Sequence, residues 1–136
     1  MHVVIAESKQ ALLDHFRIRG EVFIVEQVID WTEEFDVTDY EATLFVLYDG
    51  KDAIGAARLY DNKVGRVAIL KAHRHKRAGS QLMNFVEEYA KQHGITRLEL
   101  GAQLAVIPFY EKLGYETYGD IFLDANIEHK MMAKDL

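Results

Sequence analysis

The sequence predicts an α/β or α+β fold whose sheet mixes parallel and antiparallel strands. The chain has 136 residues, 49% of them hydrophobic, which suits a single domain spanning residues 1–136 around one core. Its first half alternates short apolar stretches with tight turns, the pattern of antiparallel strands. Residues 64–101 instead read as a strand, an amphipathic helix and a strand, the pattern of a parallel crossover unit.

The first elements are a strand and a helix. Residues 2–6 are apolar enough for the first strand, and Ser8 is a suitable N-cap for the helix that follows. The residues expected to share the apolar face of this helix are Leu13, Phe16, Gly20 and Phe23. The acidic stretch 30–41 lacks a clean period, so a short helix or a loop is expected there.

Three antiparallel strands follow. Residues 42–48 and 53–60 are predicted strands joined by a hairpin turn at Asp49 and Gly50. A second turn at residues 61–62 leads into the strand 64–70. These strands form the antiparallel part of the predicted sheet.

The second half begins with a crossover. Residues 79–93 form a predicted helix, and Gly94 ends it. The apolar stripe of this helix contains Leu82, Phe85, Val86, Tyr89 and Ala90. The strand 97–101 follows and should run parallel to 64–70 through a right-handed crossover. A last helix at 105–113 tolerates Pro108 near its first turn, and two more strands are expected after it.

Composition excludes several classes of function. The net charge of −6 argues against a nucleic-acid-binding protein, whose domain is usually basic. No apolar run approaches the length of a membrane span, and no secretory signal is visible, so a cytoplasmic protein without a membrane partner is expected. Cysteine is absent, which excludes disulfides and a cysteine nucleophile. The pair His73 and His75 lacks a third ligand, so no metal site is expected.

Charge is unevenly distributed along the chain. Residues 20–50 contain nine acids and neither lysine nor arginine. This stretch favours a cationic acceptor substrate such as a polyamine, an aminoglycoside-like amine or a protein amine. Arg58 and Arg66 instead favour a substrate that carries a carboxylate. Both interpretations remain open from the sequence.

A basic run directly precedes the helix 79–93. Arg74, Lys76 and Arg77 supply positive charge, and Ala78, Gly79 and Ser80 are small residues at the start of the helix. The unpaired N–H groups and the dipole of a helix N-terminus favour a bound phosphate, which small residues allow to approach the backbone. The run therefore indicates a site for a phosphate-bearing ligand.

At these residues the chain resembles the GNAT superfamily, the GCN5-related N-acetyltransferases. Residues 74–79 follow the phosphate-loop pattern Q/R-x-x-G-x-G/A, with Arg77 in place of the middle glycine. Residues 103–115 follow the spacing N-x-x-A-x-x-F/L-Y-x-x-x-G-F/Y, with Gln103 in place of the asparagine. Val22 to Gln27 and His129 to Met132 are similar to segments of short stand-alone bacterial members. The resemblance extends over nearly the whole chain.

The resemblance implies a mostly antiparallel sheet of six to seven strands, flanked by about four helices, with the parallel strands 64–70 and 97–101 splayed apart. It implies acetyl-CoA as cosubstrate, an amine acceptor that is a small molecule or a peptide, and a possible homodimer formed through the C-terminal strands. The residues it assigns to acyl-CoA binding are Val67, Ala68, Ile69, Arg74, His75, Lys76, Arg77, Ala78, Gly79, Ser80, Gln103 and Tyr110.

Arg77 departs from the family pattern. A residue with a Cβ does not adopt a positive φ cheaply, so the loop is either α-compatible at Arg77 or strained there. A cation at a helix N-terminus is also unfavourable unless an anion binds beside it. We hypothesise that the Arg77 side chain contacts a CoA phosphate; the alternative is that it points to solvent.

The absence of cysteine favours direct attack of a primary amine on the thioester. The departing thiolate, with a thiol pKa near 8.5, needs a proton, and the resemblance places Tyr110 near the sulfur as general acid. The amine must lose a proton, for which Glu26 is the candidate base, with Glu34, Asp36 and Asp39 as alternatives. An N-acetyltransferase is therefore predicted; a non-catalytic acetyl-CoA sensor or interaction module is the alternative function.

Overall fold

The computed structural model describes all residues, Met1–Leu136. Its strands are β1 (His2–Ile5), β2 (Thr43–Asp49), β3 (Asp52–Tyr60), β4 (Lys63–Ile69), β5 (Arg97–Gln103), β6 (Glu116–Asp124) and β7 (Ile127–Asp135). They form one seven-stranded sheet in the order β1-β2-β3-β4-β5-β7-β6. Only β4 and β5 are parallel neighbours. The predicted mixed and mostly antiparallel sheet is confirmed.

Four α-helices flank the sheet, as expected. They are α1 (Lys9–Arg19), α2 (Trp31–Glu34), α3 (Ala78–Gln92) and α4 (Ile107–Lys112). A π-helical segment, Gly20–Glu26, continues α1, and three 3₁₀ turns lie at Val37–Tyr40, Lys71–His73 and Leu104–Val106. No helix has the length and apolar character that crossing a membrane requires.

Helix α1 begins as predicted, but its buried face differs in part from the apolar face that the sequence predicts. The Ser8 hydroxyl accepts a hydrogen bond from the Ala11 N–H at 3.1 Å. Leu13, assigned to the apolar face, is 67% exposed, so that part of the prediction is wrong. The residues of α1 that are buried are Ala11, Asp14, His15, Ile18 and Arg19. Because this helical stripe contains charged residues, hydrophobic periodicity misassigned Leu13, whereas Phe16 and Phe23 of the predicted face do pack in the core.

The two faces of the sheet carry separate apolar cores. One core packs α3 and α4 against the sheet, and the predicted stripe residues Leu82, Val86 and Ala90 are fully buried in it. The other core packs α1 and the π-helical segment on the opposite face, through residues such as Ile18 and Phe23. The chain therefore brings different elements to the two faces of β4 and β5.

β4 and β5 pair over only two residues each before they diverge. They pair only at Lys63 with Glu99 and at Val64 with Leu100. A register irregularity between Ala56 and Arg58 of β3 lies opposite the point of divergence. There Arg66 adopts a φ of 52°, in the left-handed region that non-glycine residues rarely enter. Beyond this bulge, residues 65–69 have no strand partner on the β5 side, which opens a cleft in the sheet.

The last helix is shorter than predicted. The sequence suggested 105–113, but Leu104–Val106 forms a 3₁₀ turn and α4 covers only Ile107–Lys112. Pro108 lies in the first turn of α4, where its missing N–H is not needed. The 3₁₀ turn directs the chain from the end of β5 into α4 beside the cleft.

Candidate active site

The cleft between β4 and β5 is bounded by the elements that the sequence singled out. The basic loop, residues 70–77, leaves the end of β4 and enters α3 at Ala78. The 3₁₀ turn and α4 leave the end of β5. The π-helical segment ends at Glu26 on the α1 side of the sheet. Phosphate-loop residues, the tyrosine of α4 and the candidate base therefore lie around one opening.

The basic loop contains two strained residues. His75 has a φ of 75°, and Arg77, the residue before α3, has φ 60° and ψ 20°. Of the two conformations considered for Arg77, the left-handed one is present, which costs roughly 1–2 kcal/mol for a residue with a Cβ. No side chain caps α3 at this end, so its first N–H groups remain available. Strain of this kind often accompanies ligand-binding loops.

Arg74 is oriented by both sides of the cleft. Its Nε donates to the Ile69 carbonyl at 2.9 Å, at the end of β4. Its two terminal nitrogens donate to the two carboxylate oxygens of Glu26, each at 2.7 Å. The hydrogen bonds from Arg74 lower the pKa of the Glu26 carboxyl. Three of the five N–H groups of Arg74 are therefore occupied within the protein.

A second pair of side chains bridges the cleft. The Gln103 amide nitrogen donates to the Gln27 amide oxygen at 2.9 Å, and Gln27 returns a weaker bond at 3.4 Å. Gln103 ends β5, and Gln27 follows the π-helical segment. Glu26 therefore contacts the loop that follows β4, Gln27 contacts the end of β5, and the predicted site residue Gln103 serves this bridge.

Tyr110 of α4 is buried among aromatic rings. The centroid of its ring lies 4.9 Å from that of Phe109 and 5.8 Å from that of Tyr115, both edge to face. Its hydroxyl makes no hydrogen bond in the protein, whereas every fully enclosed polar side-chain atom has a partner. The Tyr110 hydroxyl therefore keeps contact with solvent, and burial of the ring raises the pKa of Tyr110.

The neighbours of Tyr110 fix the position of α4. Tyr115 donates from its hydroxyl to Glu87 of α3 at 2.8 Å, and Lys134 of β7 donates to the same carboxylate at 2.9 Å. Phe109 packs against the start of α3, where a Cβ on Gly79 would lie 3.0 Å from the ring. Gly79 thus allows the close approach of Phe109, which holds α4 against the loop end of α3.

A network of three arginines neutralises much of the acidic stretch. Arg19, fully buried, donates to Glu34 at 2.6 Å and to Asp39 at 2.7 Å. Arg58 pairs with Asp36 and Asp39 at 2.8 and 3.0 Å. Arg66 pairs with Glu34 at 3.1 Å and with Asp36 at 3.2 Å. Three of the nine acids behind the cationic-acceptor interpretation, and both arginines behind the carboxylate-acceptor interpretation, are therefore engaged with one another.

Sequence reasoning missed the centre of this network. Charged residues are rarely buried, so Arg19 and His15 were not assigned to the core. His15 accepts from Arg19 through Nε2 at 3.1 Å when its Nδ1 donates to the Phe45 carbonyl at 3.0 Å. His15, Ile18 and Arg19 follow Ala11 at i+4, i+7 and i+8, and this helical spacing was the available signal. This buried face can be recognised only if polar residues are counted among the members of an apolar helical stripe.

The remaining cations of the loop stay unpaired. Lys71, Lys76 and Arg77 make no ion pair, although Lys76 lies 3.4 Å from the His73 ring nitrogen. These cations, together with the N-terminus of α3, leave the loop side of the cleft positive. No group of three or more His, Cys, Asp or Glu side chains is arranged to hold a metal ion.

Comparison with known proteins agrees with this geometry. A sequence model of the acetyltransferase (GNAT) domain matches residues 3–136. The uncharacterized N-acetyltransferase YjcF of Bacillus subtilis (strain 168) is 39% identical, with 99% of this chain and 100% of YjcF aligned. A crystal structure from Lactobacillus plantarum, provisionally named an N-acetyltransferase, has 30% identity and a TM-score of 0.92, covering 99% and 97% of the two chains. An acyl-CoA N-acyltransferase structure from Pseudomonas aeruginosa has the same fold, with 23% identity, a TM-score of 0.86 and coverage of 98% and 99%.

Proposed function

The chain belongs to the GNAT acetyltransferase family, and on that premise we propose how its own residues move an acetyl group from acetyl-CoA to a primary amine. The divergence of β4 from β5 beside the uncapped, basic start of α3 is the observation that carries the proposal. As a member of this family the protein is an acyl-CoA-dependent N-acyltransferase. The residue roles described below are parts of the proposal.

The free edge of β4 suits the pantetheine arm of acetyl-CoA. Val67, Ala68 and Ile69 lie beyond the last contact with β5, so this edge offers backbone groups to an extended ligand in place of a strand. Residues 74–80, which include His75 and Ser80, then hold the pyrophosphate with backbone N–H groups and cations. The uncapped start of α3 and the unpaired charges of Lys76 and Arg77 support this placement.

Tyr110 is the proposed general acid. When the amine attacks the thioester carbon, the C–S bond breaks and the sulfur leaves with the electron pair. A phenol hydroxyl that has no partner in the protein and still contacts solvent is able to donate a hydrogen bond and a proton to that sulfur. Burial raises the pKa of Tyr110, which keeps the phenol protonated before the reaction.

Glu26 remains the proposed base, acting on the amine directly or through water. Its carboxylate lies at the end of the π-helical segment, on the side of the cleft opposite α4. Arg74 lowers the pKa of Glu26, so the carboxylate is charged at neutral pH but is a weaker proton acceptor. The electrostatic attraction of an alkylammonium to this carboxylate is the second contribution that we assign to Glu26.

The test is an amine screen with acetyl-CoA, read as release of free CoA thiol and as the mass of the acetylated amine. The proposal expects at least one primary amine to give stoichiometric thiol and acetylamine. Binding of CoA without turnover of any amine would instead support the acetyl-CoA sensor. If the wild-type protein does not bind CoA at all, both functions are contradicted.

A homodimer through β6 is the proposed assembly. Every residue of this edge strand is exposed, and its apolar members are Tyr118, Ile121, Phe122 and Leu123. An exposed apolar edge strand readily pairs with another strand. Sedimentation velocity of the wild type and of Leu123→Lys tests this assembly; a monomer at all concentrations of the wild type would contradict it.

A further inference from the structure

We infer that the acceptor of this enzyme is an amine bearing an apolar group, and that Val28 and Trp31 form the surface that recognises this group. The inference rests on the proposed function, because it concerns the amine that attacks the thioester. It specifies the substrate class, which neither the fold nor the residues that hold acetyl-CoA determine.

The amine has one open side from which to approach. On the α3 and α4 face, the cleft is backed by the larger apolar core, which contains Tyr110 and Tyr115. On the opposite face lies the segment 26–34, which we call the acceptor wall. The proposed base Glu26 begins this wall, so an amine that Glu26 deprotonates approaches the thioester beside it.

Three contacts fix the acceptor wall to the sheet. Glu26 binds Arg74 beyond the end of β4, and Gln27 binds Gln103 at the end of β5. At the other end, Arg66 of the β4 bulge donates to the main-chain carbonyls of residues 33 and 34 at 3.2 and 3.0 Å. Val28 and Trp31 lie between these contacts, so their positions relative to the cleft are fixed from both sides.

Arginines neutralise two of the four acidic side chains of the acceptor wall. The Glu34 carboxylate binds Arg19 and Arg66, and the Glu26 carboxylate binds Arg74. Asp30 uses its carboxylate to cap α2 through the Thr32 N–H and hydroxyl. Glu33 has no ion pair, and the neutral donors of Thr32 leave the charge of Asp30 in place. These two carboxylates are available to attract the ammonium group of the acceptor, but they do not account for the apolar surface beside them.

Apolar surface, by contrast, is prominent on the acceptor wall. Val28 is 82% exposed and Trp31 is 64% exposed. Val28 also has a φ of 59°, which is unusual for a β-branched residue and is more easily adopted by glycine or asparagine. Val106, in the 3₁₀ turn after Gln103, is 41% exposed on the β5 side of the opening. Exposed apolar groups beside a catalytic cleft indicate a binding surface for an apolar ligand.

Trp31 makes the inference directly measurable, because it is the only tryptophan in the chain. With CoA present, phenethylamine should shift the Trp31 emission to shorter wavelength, and ethanolamine and spermidine should not. Covering a phenyl-sized apolar group strengthens binding by about ten- to a hundredfold, which is the expected ratio of Kd values between ethanolamine and phenethylamine.

Two variants distinguish the loss of this apolar surface from a general loss of stability. Val28→Ser should weaken phenethylamine binding several-fold and leave CoA affinity unchanged. Leu13→Ser, which removes another exposed aliphatic side chain (67% exposed) on α1, should change neither. Equal or tighter binding of spermidine would overturn the inference. So would a blue shift that depends on protein concentration without any amine, since a second copy would then cover Trp31. Absence of thiol release with every amine would refute the enzymatic function. The binding measurements with phenethylamine, ethanolamine and spermidine would still decide the present inference.

Discussion

Arg74 and Glu26 form a bidentate ion pair, with both N–O distances at 2.7 Å, between the basic loop and the end of the π-helical segment. The residue with which the phosphate-loop pattern begins is thus already paired with the candidate base. This pair joins the donor and acceptor sides of the cleft. It also reduces the positive charge that Arg74 presents to a phosphate.

Glu26→Gln should therefore strengthen CoA binding. Removing the carboxylate frees the charge of Arg74, and because the pair is about one-third exposed the gain is modest, about two- to fivefold in Kd. Isothermal titration with CoA measures it. Glu88→Gln, which removes a carboxylate paired with Lys91 near the C-terminal end of α3, is the control. Weaker CoA binding in Glu26→Gln would mean that orientation of Arg74 matters more than its charge.

Arg77→Gly should have opposite effects on stability and on ligand binding. Glycine adopts φ 60° without strain, so the free energy of unfolding without ligand should rise by about 1 kcal/mol. CoA affinity should fall and become less dependent on salt, because one cation near the phosphates is lost. His75→Gly relieves a similar backbone strain while keeping Arg77 in place. If CoA affinity and its salt dependence stay unchanged in Arg77→Gly, the side chain points to solvent.

Tyr110→Phe should reduce kcat by about a hundredfold or more and leave CoA affinity unchanged. Since the Tyr110 hydroxyl has no partner in the protein, its removal leaves no polar group unsatisfied and Tm should be preserved. Steady-state kinetics with an amine found in the screen, together with thermal unfolding, test this. Tyr115→Phe provides the comparison. It removes the hydrogen bond to Glu87, so it should lower Tm and leave kcat nearly unchanged. Unchanged kcat in Tyr110→Phe would assign the proton to another donor.

Stability should fall between pH 6.5 and pH 4 because of His15. Burial lowers the pKa of His15 from 6.5 to about 4, and the charge of Arg19 acts in the same direction. The unfolded chain takes up a proton on His15 near pH 6.5 and the folded protein does not, so acid favours unfolding by up to about 3 kcal/mol. Urea unfolding across this range measures the slope, and His15→Gln should flatten it. An equal slope in the variant would assign the effect to other groups.

The sequence predicted most of the fold because its elements have local signals. The Ser8 cap, the hairpin between β2 and β3, and the α3 stripe each depend on neighbours in the chain, and all three form. The hairpin turn lies at Gly50 and Lys51, one residue later than predicted, and Phe85 of the stripe is exposed. The failures occur where local and tertiary preferences differ. Leu13 is exposed because α1 turns a charged stripe to the sheet, and Arg19 and His15 are stable there only with partners from distant segments.

The sequence alone determined the family, the order of the strands and helices, and the basic start of α3, because spacing and residue type carry that information. Tertiary structure decided which charges remain available. Arg58 and Arg66 lie some 20 to 30 residues from the acids that neutralise them, and Glu26 lies 48 residues before Arg74. Electrostatic interactions depend on distance in space, not on distance along the chain. The residues proposed to hold acetyl-CoA could therefore be identified from the sequence, whereas the charges available on the proposed acceptor side could be identified only from the folded chain.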